Sequence, residues 1–391
     1  MLSFSHQSST KLIVGTDSVE RVGKEIRQVG GTRVLLHYGS DRIKQNGVYD
    51  QITQWLQREG ISYVVLGGVK PNPTRSLVLD GIELCREENV DFILAVGGGS
   101  VMDSAKAIAV GVEHEGDVWD FFSDQASVTK ALPIGALVTL PASGSEASAD
   151  CVLTHDTFAL KRDMESNDYI RPQFALLNPD FTNSLSKKQL AIACTDIFSH
   201  VFERYFSQLE PLPFVREWQE ATLRSIVSVA KDLVEGTDGE RTRTEMMLLA
   251  TVAHNDWLSL GGIEGDWSSH AIEHELSGKY ADLPHGTGLA IVMPAWMKYV
   301  YKTHPERFAA FAHNVFSVIP TSDVTVDAYE GIKQVEAFLT TIGMPTNLQA
   351  ANLPAEGFEE MAKNATLYGP IGDLEQLHDK DIIQILTLAQ K

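Results

Sequence analysis

Residues 92–106 read Phe-Ile-Leu-Ala-Val-Gly-Gly-Gly-Ser-Val-Met-Asp-Ser-Ala-Lys. Five apolar residues running into glycine predict a buried strand at 92–96, and the pattern from Val101 onward predicts a helix. Gly97-Gly98-Gly99-Ser100 is then the turn between them. Residues without a Cβ let backbone approach an anion closely, and the first N–H groups of a helix lack intrahelical acceptors, so this turn suits a phosphate. The string is neither G-x-G-x-x-G nor a Walker A loop, because no Lys-Ser or Lys-Thr follows the glycines at the required spacing. A different nucleotide-binding arrangement is implied.

Working outward, strands are predicted at 11–14, 33–38, 63–66 and 134–140, with amphipathic helices between them at 19–29, 48–58 and 76–88. Such alternation is the mark of a parallel α/β sheet, whose ligands gather at the carboxyl ends of the strands. Two more turns fall at such ends. One is Pro141-Ala142-Ser143-Gly144-Ser145-Glu146 and the other is Tyr38-Gly39-Ser40-Asp41-Arg42, which is either a ribose site or a solvated turn. Beyond the extended run at 174–177 and Asn178-Pro179, the period becomes helical, at 188–206, 214–233, 245–260 and 328–341. The expected organisation is a Rossmann-like dinucleotide-binding α/β domain over 1–183 and an all-helical metal-binding domain over 184–391. A cleft between two such domains is a common place for a small-molecule site.

Composition narrows the function. With 391 residues, 43% hydrophobic and 21% charged, the chain has enough apolar surface for a large core. Its 32 basic and 52 acidic residues give a formal charge of -20, which disfavours nucleic acid and anionic membranes as partners. No stretch has the ~18 uninterrupted apolar residues of a membrane span, and the first ten residues lack an apolar core, so neither export nor insertion is expected. Cys85, Cys151 and Cys194 are widely spaced, which suits a reducing, cytoplasmic compartment.

The helical half carries the metal chemistry. Asp196 and His200 are four apart on one helix face, His270 and His274 repeat the spacing, and His285 follows Pro284. Carboxylate with imidazole suits a divalent transition metal; a hydrogen-bonded helix histidine is the plain alternative for each pair. The string His270-Ala271-Ile272-Glu273-His274 also fits H-x-x-E-H, a zinc peptidase pattern with Glu273 as general base. A non-catalytic nucleotide-binding protein is a third reading.

Taken together, Gly97-Gly98-Gly99-Ser100 with Asp103, Ala142 to Glu146, Thr195-Asp196-Ile197-Phe198-Ser199-His200, Gly265-Asp266-Trp267 through His270, Glu273 to Ser277 and Pro284-His285-Gly286 resemble the iron-containing alcohol dehydrogenase family, nearest its butanol-dehydrogenase-like branch. The resemblance runs from about Lys11 to the carboxyl terminus. It implies hydride transfer between NAD(P)H and a small, primary aliphatic alcohol or aldehyde. It also implies one divalent metal, Fe(II) or Zn(II), on Asp196, His200, His270 and His285, and a homodimer. His274 looks like the histidine that borders substrate and nicotinamide without ligating the metal. Asn72, Thr139, Ser143 and Ser145 resemble cofactor-lining positions, beside Gly39, Asp41 and the Gly97–Ser100 turn. Lys161 or Arg162 resembles a basic group near the nicotinamide. Between His270 and His285 the spacing is one residue longer than the family's, with the extra residue within Tyr280-Ala281-Asp282-Leu283. At 40–42 the chain has Ser-Asp-Arg where related sequences carry glycines. Asp41 facing the ribose favours NADH by repelling a 2′-phosphate, whereas Arg42 facing it would accommodate NADPH; the turn leans towards NADH. Trp257 and Trp267 are candidates either for the substrate wall or for helix core.

Overall fold

The computed structural model describes residues 3–158, 160–280 and 282–391. Among them the strands are β1 (Lys11–Val14), β2 (Arg33–Tyr38), β3 (Ser62–Leu66), β4 (Phe92–Gly97), β5 (Ile134–Val138), β6 (Val152–His155), β7 (Leu160–Asp163) and β8 (Phe174–Leu177). Six form one sheet in the order β1-β8-β5-β4-β2-β3, parallel throughout. All six residues of β4 are buried because the sheet is covered on both faces. Phe92, Leu94 and Val96 pack with the side bearing Val22, Ile26, Ile52 and Leu56, whereas Ile93 and Ala95 pack with Val78, Ile82, Ala105 and Ile108. The alternation is the period of two expected of a strand. After β3 the chain crosses to the other side of β2 and adds β4, so the carboxyl ends of β2 and β4 flank a topological switch point.

The expected strands at 11–14 and 33–38 match β1 and β2, and β5 stops at Val138 rather than Leu140. The antiparallel hairpin β6–β7 was not anticipated, since four-residue strands carrying Lys161, Arg162 and Asp163 lack an apolar run.

The chain divides into two compact units, each with its own core: Gln7–Leu185 with Gly239–Asn255, and Ser186–Asp238 with Asp256–Lys391 and residues 3–6. Sequence order places one boundary after residue 183; the units differ from that division chiefly in the helix Glu240–His254, which lies with the α/β sheet. There Arg243 Nη1 donates to the Thr182 carbonyl at 2.7 Å and Thr251 Oγ1 donates to Glu146 Oε1 at 2.7 Å.

The second unit is helical. Its helix Lys187–Tyr205 opens with a reciprocal cap: Ser186 Oγ accepts from the Gln189 N–H, and Gln189 Oε1 accepts from the Ser186 N–H. One face carries Phe198 and Phe202, continued by Phe206. Phe202 and Phe206 each lie 5.6 Å, ring centroid to centroid, from Trp296 of the helix His285–Val300. This aromatic core fixes the helix that begins at His285 against the helix that carries Asp196 and His200. No helix among the described residues is long and apolar enough to cross a membrane.

Candidate active site

In the α/β unit, the helix Gly99–Val112 starts straight from β4, with Gly98 as its extended cap. Space demands the glycines: a Cβ at Gly97 would sit 2.5 Å from Val101 Cγ2, and one at Gly99 only 2.3 Å from Ser143 Oγ. Thr139 is tied to the same turn by its N–H, which donates to the Gly97 carbonyl at 2.9 Å. Gly39, Gly97, Gly98, Gly99, Ser100, Thr139 and Ser143 therefore gather at the carboxyl ends of β2, β4 and β5. Asn72 holds a left-handed backbone, φ 57°, and its Nδ2 is buried with no hydrogen-bond partner among the described residues. A buried amide donor is costly without a partner, so this position fits a ligand bearing acceptors.

Asp103 and Ser145 are differently engaged. Ser145 Oγ donates to Asp103 Oδ1 at 2.7 Å and accepts from the fully buried Lys106 Nζ at 2.9 Å, so its one proton is committed inside the protein. Burial pushes the Asp103 carboxyl up while the Lys106 ammonium opposes that shift. The pair holds the 141–146 turn. Asp41 is exposed, pairs with Lys44 Nζ at 2.7 Å and accepts from Tyr38 Oη at 3.1 Å; the Lys44 hydrogen bond, then Tyr38, pulls its carboxyl down. Arg42 is turned to the Ser184 carbonyl. Lys161 is buried on β7, and Arg162 donates to the Lys161 carbonyl. Across the hairpin Thr154 pairs with Lys161 and its N–H donates to Pro73 O at 2.8 Å, which brings β6 beside the Asn72 turn.

In the helical unit, Asp196, His270 and His285 each offer a ligand atom within 4.8 Å of the others. Asp196 and His270 are buried, and the His285 side chain is 25% exposed with its Nε2 3.7 Å from Asp196 Oδ1. His200 stands beside this group rather than inside it: its ring centroid is 4.8 Å from that of His270. Each imidazole has Nδ1 against an oxygen. His200 Nδ1 donates to the Asp196 carbonyl at 2.8 Å, His270 Nδ1 faces Glu203 Oε1 at 3.1 Å, and His285 Nδ1 faces Glu273 Oε2. Held so, each ring leaves Nε2 as the atom that could ligate a metal, the usual arrangement around a protein-bound transition metal. One hard carboxylate and the borderline imidazoles of His270 and His285, with His200 beside them, fit Fe(II) or Zn(II).

Glu203 and Glu273 are fully buried, and burial pushes the Glu203 carboxyl up to about 8 against the N–H groups of His270, Trp267 and Ser269. Glu273 is packed so closely that a Cβ at Gly288 would meet its Oε1 at 2.6 Å. His274 groups with Glu273 and His285, not with His270, and its ring centroid is 5.6 Å from that of His285. A peptidase would pair His270 with His274 and aim Glu273 at a water; here Glu273 is spent on His285. The extra residue near 280–283 falls around Ala281, outside the described residues. Trp267 belongs to this site, its ring 5.1 Å from His270 and under the Arg204 guanidinium at 4.7 Å, whereas Trp257 packs on Trp218 and His6.

Iron-containing alcohol dehydrogenase is the family whose pattern matches residues 9–179, and its partner pattern, Fe-containing alcohol dehydrogenase family, C-terminal, matches 190–390. The chain belongs to the iron-containing alcohol dehydrogenase family. It is 38% identical to NADH-dependent butanol dehydrogenase A of Clostridium acetobutylicum, over 98% of this chain and 99% of that one. It is 32% identical to NADH-dependent butanol dehydrogenase B of the same organism, over 98% and 99%. The crystal structure of NADH-dependent butanol dehydrogenase A from Thermotoga maritima superposes with a TM-score of 0.96 at 36% identity, covering 100% of this chain and 99% of that one. This iron-containing alcohol dehydrogenase is thus an oxidoreductase of the butanol-dehydrogenase-like branch.

Sequence reasoning missed Glu203, Lys44 and Lys106. Glu203 had a signal: Asp196, His200 and Glu203 recur at the four-then-three spacing of one helix face. Lys44 had none, being one charge among several in a polar turn.

Proposed function

We propose that this enzyme reduces small, primary aliphatic aldehydes with NADH, and oxidises the corresponding alcohols, at a single Fe(II) or Zn(II) held by Asp196, His200, His270 and His285. The observation that carries the reading is the convergence of Asp196, His270 and His285 ligand atoms, with every Nδ1 already committed to an oxygen. When bound, the ion supplies Lewis-acid polarisation of the carbonyl oxygen, and in reverse it lowers the alcohol's pKa. The nicotinamide supplies the hydride.

The chain's own residues do the rest. Asp196 contributes the one anionic donor of the set. The Gly97–Gly99 backbone and the start of the helix Gly99–Val112 cradle the pyrophosphate, with Asn72 Nδ2 donating to the cofactor. His274, one turn beyond His270 and half-buried, positions substrate or passes a proton at its imidazole to solvent. Trp267 walls the metal side. NADH is preferred over NADPH because Asp41 stands at the end of β2, in keeping with the cofactor named for the relatives. Three buried, reduced cysteines favour a cytoplasmic home, and a homodimer is the expected assembly.

The test is a screen of NADH and NADPH oxidation with a series of small aldehydes on protein reconstituted with Fe(II) or Zn(II). Aldehyde-dependent oxidation that vanishes on chelation is expected. No turnover with either metal and either cofactor would overturn the reading.

A further inference from the structure

Near the carboxyl terminus, the segment 371–377 closes on itself and is tied to two helices of the helical unit. Ile371 and Leu377 exchange backbone hydrogen bonds at 3.0 and 2.8 Å. Gly372, at φ +94°, turns so tightly that a Cβ would meet the Glu375 carbonyl oxygen at 2.4 Å. From this loop Asp373 reaches one way. Its Oδ2 accepts from Ser207 Oγ at 2.5 Å and from the Gln208 N–H at 2.7 Å, just past the end of the helix Lys187–Tyr205. The loop backbone reaches the other way, the N–H groups of Asp373 and Leu374 donating at 3.0 and 2.9 Å to Asp266 Oδ2. Asp266 Oδ1 accepts in turn from the Ser268 N–H at 3.2 Å and from the Ser268 hydroxyl, at the first residue of the helix Ser268–Lys279.

The first of these helices carries Asp196 and His200, and the second carries His270. A chain of hydrogen bonds therefore runs from the end of one to the start of the other through residues 373 and 374. Glu203 crosses the same gap: the Asp266 N–H donates to its carbonyl at 3.0 Å, and its carboxylate takes the His270 N–H at 2.9 Å. Between Asp266 and Ser268, Trp267 is held at φ 57°, a left-handed conformation that a bulky residue keeps only where its surroundings impose it. The bond from the Ser268 N–H to Asp266 Oδ1 reaches across Trp267 and supplies that constraint. Asp266 is buried and both of its oxygens accept, which an asparagine, with a single oxygen, does not reproduce.

We propose that the segment 372–374 is a strap that sets the spacing of the two helices bearing Asp196, His200 and His270, with Asp266 and Asp373 as positioning residues for the metal site. This rests on the reading of those three residues as ligands. The probe is Co(II) added alone to full-length protein freed of metal, its Kd read by chelator competition and its coordination by visible absorption. Asp373→Ala removes a side chain bonded to Ser207 and Gln208 rather than to a ligand. It should weaken Co(II) binding by about tenfold, the lower end of what groups orienting metal ligands contribute, and should change the absorption band, which follows coordination geometry. Asp373→Asn keeps an acceptor oxygen and should recover most of the affinity, whereas Asp266→Asn should bind Co(II) more weakly than the wild type. Asp327→Ala is the control. That buried carboxylate of the same unit bonds Thr321 and His313, so its loss should lower the thermal midpoint and leave Co(II) affinity and spectrum alone. Unchanged affinity and spectrum in Asp373→Ala, or an equal loss of affinity in Asp327→Ala, overturns the strap. Should Asp266→Asn not fold, the two Asp373 variants decide. A wild type that binds no stoichiometric Co(II) removes the metal reading and the strap together, while tight binding indifferent to Asp373 removes the strap alone.

Discussion

Glu203 grips His270 at two nitrogens, its Oε1 accepting from the backbone N–H at 2.9 Å and facing Nδ1 at 3.1 Å. The same carboxylate fixes where the helix Ser268–Lys279 begins and which way its first histidine turns. Glu273 Oε2 faces Nδ1 of His285 and so orients that ring. Glu203→Gln and Glu273→Gln should therefore weaken metal binding by roughly 10–100-fold, the usual scale for a partner that orients a ligating imidazole. Chelator competition on the folded variants measures this, and unchanged metal affinity in both would refute it.

His270→Ala and His285→Ala remove two of the proposed ligands and should leave protein that retains no stoichiometric metal by elemental analysis. His274→Ala should behave oppositely. It keeps the metal and loses turnover or shifts the pH profile of kcat; loss of metal would instead restore the pairing of His270 with His274.

Cofactor choice should answer to Asp41 and Lys44 as a pair. Asp41→Gly leaves Lys44 uncompensated beside the proposed ribose site at the end of β2 and should raise the NADPH to NADH ratio of kcat/KM, whereas Lys44→Ala should lower it. Arg42→Ala should leave the ratio alone, since Arg42 is engaged with the Ser184 carbonyl. A ratio untouched by all three substitutions would take this turn out of cofactor selection.

His37, fully buried at the end of β2, predicts an acid limb of stability. Its Nδ1 donates to the Leu66 carbonyl at 2.9 Å and its Nε2 accepts from Ser104 Oγ at 2.8 Å, so it is held neutral. Burial lowers its pKa from 6.5 to about 4, against the Leu66 hydrogen bond that raises it. Between those values the unfolded chain binds more protons than the folded one. The contribution is whole above pH 6.5 and is lost as pH falls towards 4, about 3 kcal/mol in all. Urea denaturation of His37→Asn, compared with the wild type across that window, should show a shallower decline.

What the sequence disclosed was what repeats along the chain. Phe92–Gly97 and its glycine turn declared themselves by a period of two broken by absent Cβ atoms, and the spacing of Asp196 to His200 by the helical turn. The contacts that span distant segments stayed hidden. Glu203 meets His270 across sixty-odd residues, and Ser145 looks like any turn serine until Lys106 and Asp103 are seen beneath it. Lys44 was silent because a charge pair in a polar turn leaves no periodic trace.

The helix Glu240–His254 comes from beyond residue 238, after the first segment of the helical unit has been made. During synthesis the α/β sheet must therefore wait, its Thr182 carbonyl and Glu146 carboxylate without their partners, while a stretch belonging to the other unit emerges from the ribosome. A fragment ended at residue 183 repeats that waiting state permanently, and one ended at 255 drags an incomplete helical unit with it. No single cut yields two autonomous halves, and the enzyme is committed to finishing both units together.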